Sequence, residues 1–529
     1  MRYLLMALLV GLGLGLGGCG SSQNYVFTQT QPPGPPAPLP VARDDSVRAL
    51  GNAILNQVAA NGVLANDTLN GSTITAFDTT TTAGGSVQLE DDGSFIYTPS
   101  FDFQGEDSFT YTLGNAAGQS TATVTLSIEN KGWFVDNSVP DGGIGSQADP
   151  FNELDDALGK ATEGDTIFVF RGTGTAGNAP FTLPRGVNLV GQGVGLVVAQ
   201  TILPEGEPGV INGPVTLEGS NTVSGLIIEN PTGGDSLILS GSDNANIHNN
   251  TFRNGQQAYL AFTDAGGELT IVDNVFEGGI SRYGLLLQNT DRNSQLTISG
   301  NSFLGRVGAT PEDAVFLDLR GSSSTIVTFH GNTVQNDTGG LIKKALVIEA
   351  RGTAATTLSA VGNTLTGLTE DVFGIELFAH TTLSATISEN EFIEGESNAI
   401  EVKVEGDTTS AVLQVDNNIM TDCWRGLDVS CTSSNSVARL SVLLTNNQII
   451  GSGPSARFWL SSPSSPCIEI EGNRLGGDVE FDDGSDNKGL TVKRFSELEL
   501  INDFVSGGPV EENPGSDVQE VLEGCASEL

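Results

Sequence analysis

The 529-residue chain sets 64 acidic against 23 basic side chains, a formal net charge of −41, although only 16% of its residues are charged and 68 are glycine. That balance excludes a nucleic-acid footprint, which needs a basic face; it suits a self-repelling soluble surface or one that collects cations such as calcium. Hydrophobic residues reach 38% and alternate regularly, enough for a core and against disorder as the general state, and the length calls for more than one domain.

Residues 1–18, MRYLLMALLVGLGLGLGG, hold one early Arg2 and a Gly-rich apolar run too short for a comfortable membrane span, the pattern of an export signal. The phrase LGGC, Leu16 to Cys19, resembles the bacterial lipobox. That resemblance implies cleavage before Cys19, acylation of its thiol and a membrane partner held through the lipid. Gly20 in place of Asp after the cysteine implies the outer membrane, on its cell-surface or periplasmic face. A plain secretory signal with an incidental cysteine is the alternative. Residues 19–40 end in QPPGPPAPLP, and proline-rich chain extends by about 3 Å per residue as a semi-rigid stalk.

From 41 to 129, SFIYTP, DSFTYTL and STATVTLSI alternate apolar residues with Ser and Thr, the period of half-buried strands. The ordered phrases NGVLAND (61–67), DDGSFIYTP (91–99) and FQGEDSFTYTL (103–113) resemble bacterial cadherin-like, immunoglobulin-like domains. The resemblance implies a small β-sandwich that spaces or binds. Asp44, Asp45, Asn66, Asp67 and Asp107 offer the hard oxygens calcium prefers; turn chemistry is the other reading of the same residues.

In DPFNELDDALGKATEGDTIFVFRG, Asp149 is placed to cap a helix and Pro150 to open it. Phe151, Leu154, Leu158 and Ala161 fall on one face, Gly164 ends the helix, and a strand follows from Thr166 to Phe170. This opening resembles the start of pectate-lyase-like right-handed parallel β-helices, whose helix plugs the first coil. The resemblance implies an all-β chain with a right-handed parallel β-helix over 133–500 and a C-terminal tail at 501–529.

The phrase that carries the repeat is apolar, two variable residues, Asn, one variable, apolar: IHNNTF, IVDNVF, ISGNSF, ISENEF. Its asparagines are Asn250, Asn274, Asn301, Asn332, Asn363, Asn390, Asn418, Asn447 and Asn473, separated by 24 to 31 residues. A slack period in that range marks a solenoid whose coils close through loops of variable length. Asn tolerates the left-handed conformation a sharp corner needs, and amides stacked about 4.8 Å apart can bond as a ladder. The reading is structural.

After each Asn corner comes a strand that opens on a small residue: GLLLQN, AVFLDLR, ALVIEAR, GIELFAH, AIEVKVE, GLDVSC. Aligned on that residue, Glu376, Glu401 and Asp428 form one outward column. Three like charges so stacked repel unless a cation or proton joins them, and a spacing near 5 Å also suits the acid and nucleophile of a retaining glycosidase. The same alignment groups Asp318, Arg320, Glu349 and Arg351 as a ligand-binding or ion-paired surface, with His380, Lys403 and Glu405 in reach. Polygalacturonases combine NTD, DD, GHG and RIK phrases; only NTD, Asn289 to Asp291, occurs here. The four mature cysteines, Cys423, Cys431, Cys467 and Cys525, allow three pairings; Cys431 with Cys467 and Cys423 with Cys525 is the expected one. The function these features imply is a surface lipoprotein with a structural, adhesive or polysaccharide-binding role. The alternative is a polysaccharide lyase or glycoside hydrolase acting on acidic glycans.

Overall fold

The structure, a computed structural model, describes residues 38–482 apart from short stretches, the longest of them 306–312, and beyond 482 only strand segments at 491–492, 503–504, 510–512 and 519–520. The expected signal at 1–18, Cys19, nearly all of the stalk, Cys525 and most of the tail lie outside the described residues.

The N-terminal unit is a two-sheet sandwich. Asp45–Gly51, Thr73–Phe77, Gly105–Asn115 and the first part of Gly118–Val135 form one sheet, and Leu55–Gln57, Ser86–Leu89 and Phe95–Thr98 the other. Its core follows from period-two alternation. Phe109, Tyr111 and Leu113 point inward from one strand, Phe95 and Tyr97 from the facing sheet, and Phe95 meets Phe109 edge-on at 5.4 Å.

No linker separates this unit from the next. The strand Gly118–Val135 runs unbroken through the expected boundary at 129–133: residues to 128 pair antiparallel with Gly105–Asn115, and Gly132–Val135 pair in parallel with Thr166–Val169. Leu50 and Ala53 of the sandwich pack with Phe134, Phe168 and Leu196 beyond it. Buried Asp165 accepts from the Lys131 amide at 2.9 Å and the Trp133 indole at 3.2 Å, pinning the crossing.

The expected helix is corrected to a single turn, Leu154–Leu158, preceded by Glu153 rather than capped by Asp149. Phe151 is drawn out of it by a parallel bridge to Val135 and by stacking on Trp133 at 6.2 Å, which keeps Pro150–Phe151 extended. Leu154 and Ala157 still enter the core of the first coil.

Each later coil has three strands. One coil shows the plan: Ser294–Ser299 in a leading sheet, Ser302–Gly305 in a short sheet, Asp313–Arg320 in a long sheet. Each strand pairs in parallel with its counterparts one coil before and one coil after. Leu296, Ile298, Phe303, Val315, Leu317 and Leu319 are inward and at most 2% exposed. Phe252, Phe276 and Phe303 stack face to face at 5.1 and 4.5 Å. Parallel pairing continues to Gln519–Glu520, so the coils pass residue 500, where a tail had been expected.

The corner between leading and short sheets is the Asn corner. The Oδ1 of Asn332 accepts both the backbone N–H of Asn301, at 3.0 Å, and its Nδ2–H, at 3.1 Å. The Asn301 Nδ2 also donates to the Ile271 carbonyl of the preceding coil at 2.8 Å. The side-chain bond repeats without a gap from Asn250 to Asn473, at 2.8 to 3.1 Å, with every one of the nine residues at most 1% exposed. The left-handed position is not the asparagine itself, as its chemistry suggested, but the residue before it: Asn249, Asp273, Gly300, Gly331, Gly362, Glu389, Asn417, Asn446 and Gly472, with φ between 54° and 69°. Turning the chain there leaves the next side chain free to aim into the ladder.

Removing one rung exposes the cost. Asn363→Leu strands the Asn332 N–H and Nδ2–H and the Phe329 carbonyl, buried groups each worth about 1–3 kcal/mol when unpaired. The variant is expected to lose roughly 3 kcal/mol or more, read as a lower urea midpoint; an unchanged midpoint would show the ladder to be dispensable.

Candidate functional site

The long sheet brings charged side chains outward, but not in the expected columns. Its register pairs Val347 with Gly374, Gly374 with Glu401, and Glu401 with Asp428. Glu376 belongs to the next column, between Glu349 and Lys403. The expected Glu376–Glu401–Asp428 stack is therefore corrected to Glu401–Asp428. Val372, not Gly374, holds the place of the small residue that opens the strand in neighbouring coils, because Phe373 points inward against Phe329 and Phe392. Gly374 faces out, where a Cβ would sit 3.2 Å from the Lys344 Nζ lying over it.

The carboxylates that do stack on successive coils are Asp318, Glu349 and Glu376, followed by Lys403. Each has a cation. Asp318, 5% exposed, receives Arg320 at 2.9 and 2.6 Å and Arg351 at 3.4 Å; Arg351 also pairs Glu349 at 2.7 Å and lies over the Phe378 ring at 4.6 Å. Lys403 bridges Glu401 at 2.6 Å and Glu376 at 3.2 Å. Asp428, 4% exposed, is gripped by Arg457 at 3.0 and 2.6 Å, with Arg425 at 3.4 Å. Expected neighbours fall away at the strand ends. His380 lies beyond its strand at φ 61°, and Phe378 takes the place beside Arg351, paired with Glu405 of the next coil.

Asp371 and Lys344, which no sequence phrase singled out, complete the cluster. Asp371 accepts from Ser397 Oγ at 2.7 Å and Asn398 Nδ2 at 2.9 Å, with Lys344 at 3.6 Å. Burial pushes the Asp371 carboxyl up, but Ser397, Lys344 and Asn398 outweigh it and hold the group below its ordinary value. Glu401 goes the other way: burial, then the Asp371 charge, raise it against the pull of Lys403. Between Lys344, Gly374, Glu349 and Glu376 lies a cleft of about 170 Å³, small for a ligand site. The NTD phrase is a corner. Asn289 is buried and bonds the Ala265 backbone, and Asp291 holds Ser322.

Of the five calcium candidates in the sandwich, Asp44, Asp45, Asn66 and Asp67 lie together while Asp107 stands apart, and Asp45 Oδ2 is buried without a hydrogen bond. Asp107 is buried elsewhere, bonded by Thr81, Thr82, Ala83 and Tyr97. Asp44 caps the Thr123 amide; Asp67 accepts from the Arg43 amide and Tyr111 hydroxyl; Asn66 turns its Nδ2 toward Asp45. Among the described residues no group of three or more His, Cys, Asp or Glu side chains is arranged to hold a metal. Burial and the Asp67 charge push the Asp45 carboxyl up to about 6.

The expected cysteine pairs are also corrected. Cys423, in the turn between the short and long sheets, and Cys431, on the long sheet, are buried thiols, while Cys467 opens a leading-sheet strand and is disulfide-bonded. Cys431 points into the core, away from the face Cys467 occupies.

Two parts of the chain match known families. Residues 37–127 match the family described as Bacterial Ig domain, and residues 211–367 match the Right handed beta helix region. The chain is thus a bacterial immunoglobulin-like domain followed by a right-handed parallel β-helix. Neither a curated protein nor a solved structure matches it.

Two outcomes check these electrostatics. Arg457→Ala leaves Asp428 underpaired and is expected to cost about 2 kcal/mol, less than a fully buried pair because Arg457 is 31% exposed. The loss should be largely restored in Asp428→Asn/Arg457→Ala, as equilibrium unfolding of the four proteins will read. For Asp45, the folded value lies above the usual carboxylate value of 3.8. Its stabilising contribution is complete below pH 4 and is lost as pH rises through about 6. Asp45→Asn should raise the melting temperature at pH 7.5 and leave it nearly unchanged at pH 4.

Proposed function

We propose that the chain is an outer-membrane lipoprotein whose sandwich and β-helix act as one stiff rod, presenting the solenoid faces for structural, adhesive or glycan-binding contact. The observation that carries this reading is the unbroken strand Gly118–Val135, which joins the two units without a hinge. Export and anchoring rest on the LGGC phrase at Cys19. Among the described residues no helix is long and apolar enough to cross a membrane.

The charge arrangement supports contact rather than turnover. A hydrolase needs a carboxylic acid and a second carboxylate free to act on opposite sides of a bond. Here Glu376 and Glu401 share Lys403, and Asp428 is held by two arginines.

Cys19→Ser should move the protein from the membrane fraction to the soluble one. Retention of the variant in the membrane fraction would overturn the lipid anchor.

A further inference from the structure

The long sheet has its charges satisfied from within; the outer face of the leading sheet does not. Over the coils from Asn221 to Ile326 this face holds two grooves of about 570 and 470 Å³, both lined by Asn244 and Glu268. Each is in the range of ligand sites, and their shared wall makes them continuous. Parallel register stacks Asn246 on Thr270, and Glu268 on Gln295 on Ile326. Like positions recur about every 4.8 Å along the axis.

The groove's corner is set by backbone geometry. Asn244 and Gly267 turn at φ 61° and 69°, and Asn244 Oδ1 accepts the Glu268 amide at 2.8 Å. A Cβ on Gly267 would come within 2.2 Å of that oxygen. The bend that opens the groove therefore requires glycine.

Asn244, Asn221, Asn293 and Ser294 spend their side chains on the fold, but three other polar side chains of the lining are uncommitted. Among the described residues, the Glu268 carboxylate and the side-chain amides of Asn246 and Gln295 carry no hydrogen bond or ion pair, and Ile326 is 46% exposed. Two amides and a carboxylate offer paired donors and acceptors to vicinal hydroxyls, and Ile326 offers an apolar spot to a ring face. One acid and no base in the lining disfavour an anionic ligand. The lack of a contiguous apolar patch disfavours a protein partner, whose interface needs a desolvated core.

We propose that this groove binds a neutral glycan laid along the solenoid axis. The proposal rests on the glycan-binding part of the function above and goes beyond it in naming the face and the ligand class.

The test is calorimetric titration of the full chain with cellohexaose, xylohexaose and mannohexaose, and with hexagalacturonate as the acidic comparison. Asn246→Ala/Gln295→Ala removes two neutral hydrogen-bonding groups and should weaken binding of the neutral ligand about tenfold. Ser384→Ala/Thr386→Ala, in the same columns but beyond the grooves, should bind as the unaltered chain does. Melting temperatures of both variants check folding, since all four side chains stand outward on the sheet. Equal binding of a neutral hexasaccharide by the unaltered chain and the groove variant overturns the groove while leaving a glycan-binding protein. Binding of hexagalacturonate alone overturns the neutral class, and binding of none of the four overturns the proposal together with the glycan-binding reading beneath it.

Discussion

The side-chain amide of one asparagine bonded to the next is the interaction on which the solenoid depends. A sharp corner with its backbone buried leaves polar groups that the sheets on either side cannot satisfy. Each ladder amide answers several at once: Oδ1 takes the N–H and Nδ2–H of the preceding asparagine, and Nδ2 reaches a carbonyl one coil back. Because every corner is thereby stacked on the last, strands on both sides are held in register. The loops that close the coils then vary in length without disturbing the faces.

This explains which parts of the architecture were legible in the sequence. A ladder demands one residue type at one corner, so nine asparagines announce it, and Phe303 or Ile298 announce the inward positions by simple alternation. The corner's left-handed residue was misread because Asn, Asp, Gly and even Glu389 fill it, and no single letter marks it. The outward columns failed at one place for a definite reason. A small residue opens most long-sheet strands, but in the coil of Phe373 the visible glycine makes room for Lys344 instead. Two residues of misalignment turned an ion-paired lattice into an apparent stack of repelling acids. The short helix has the same lesson: Phe151 has a helical pattern, yet stacking on Trp133 and a bridge to Val135 override it. Asp371 and Lys344 were invisible because their meeting depends on coil register, not on spacing within a phrase.

The two broad faces handle the chain's acidity differently. On the long sheet, Arg320, Arg351, Lys403 and Arg457 are set against Asp318, Glu349, Glu376, Glu401 and Asp428. The more exposed of these pairs add little net stability, but all of them relieve the like-charge repulsion that parallel stacking would otherwise impose. The leading sheet avoids the problem by composition. Its outward positions near the N-terminal coils are mostly hydroxyls and amides, with Thr270, Thr297 and Thr328 in one column. One face balances its charges by pairing and the other carries few of them, and the second keeps hydrogen-bonding capacity for other molecules.

The strand that crosses from sandwich to solenoid also determines how the molecule carries load. A tension applied between the two units passes along Gly118–Val135 itself, flanked by Asp45–Gly51 over one stretch, by Gly105–Asn115 over a longer one, and by Thr166–Val169 at its end. Hydrogen bonds perpendicular to such a pull are strained together, in shear, rather than peeled one after another. The join is consequently held by the same strand ladders as the sheets it belongs to.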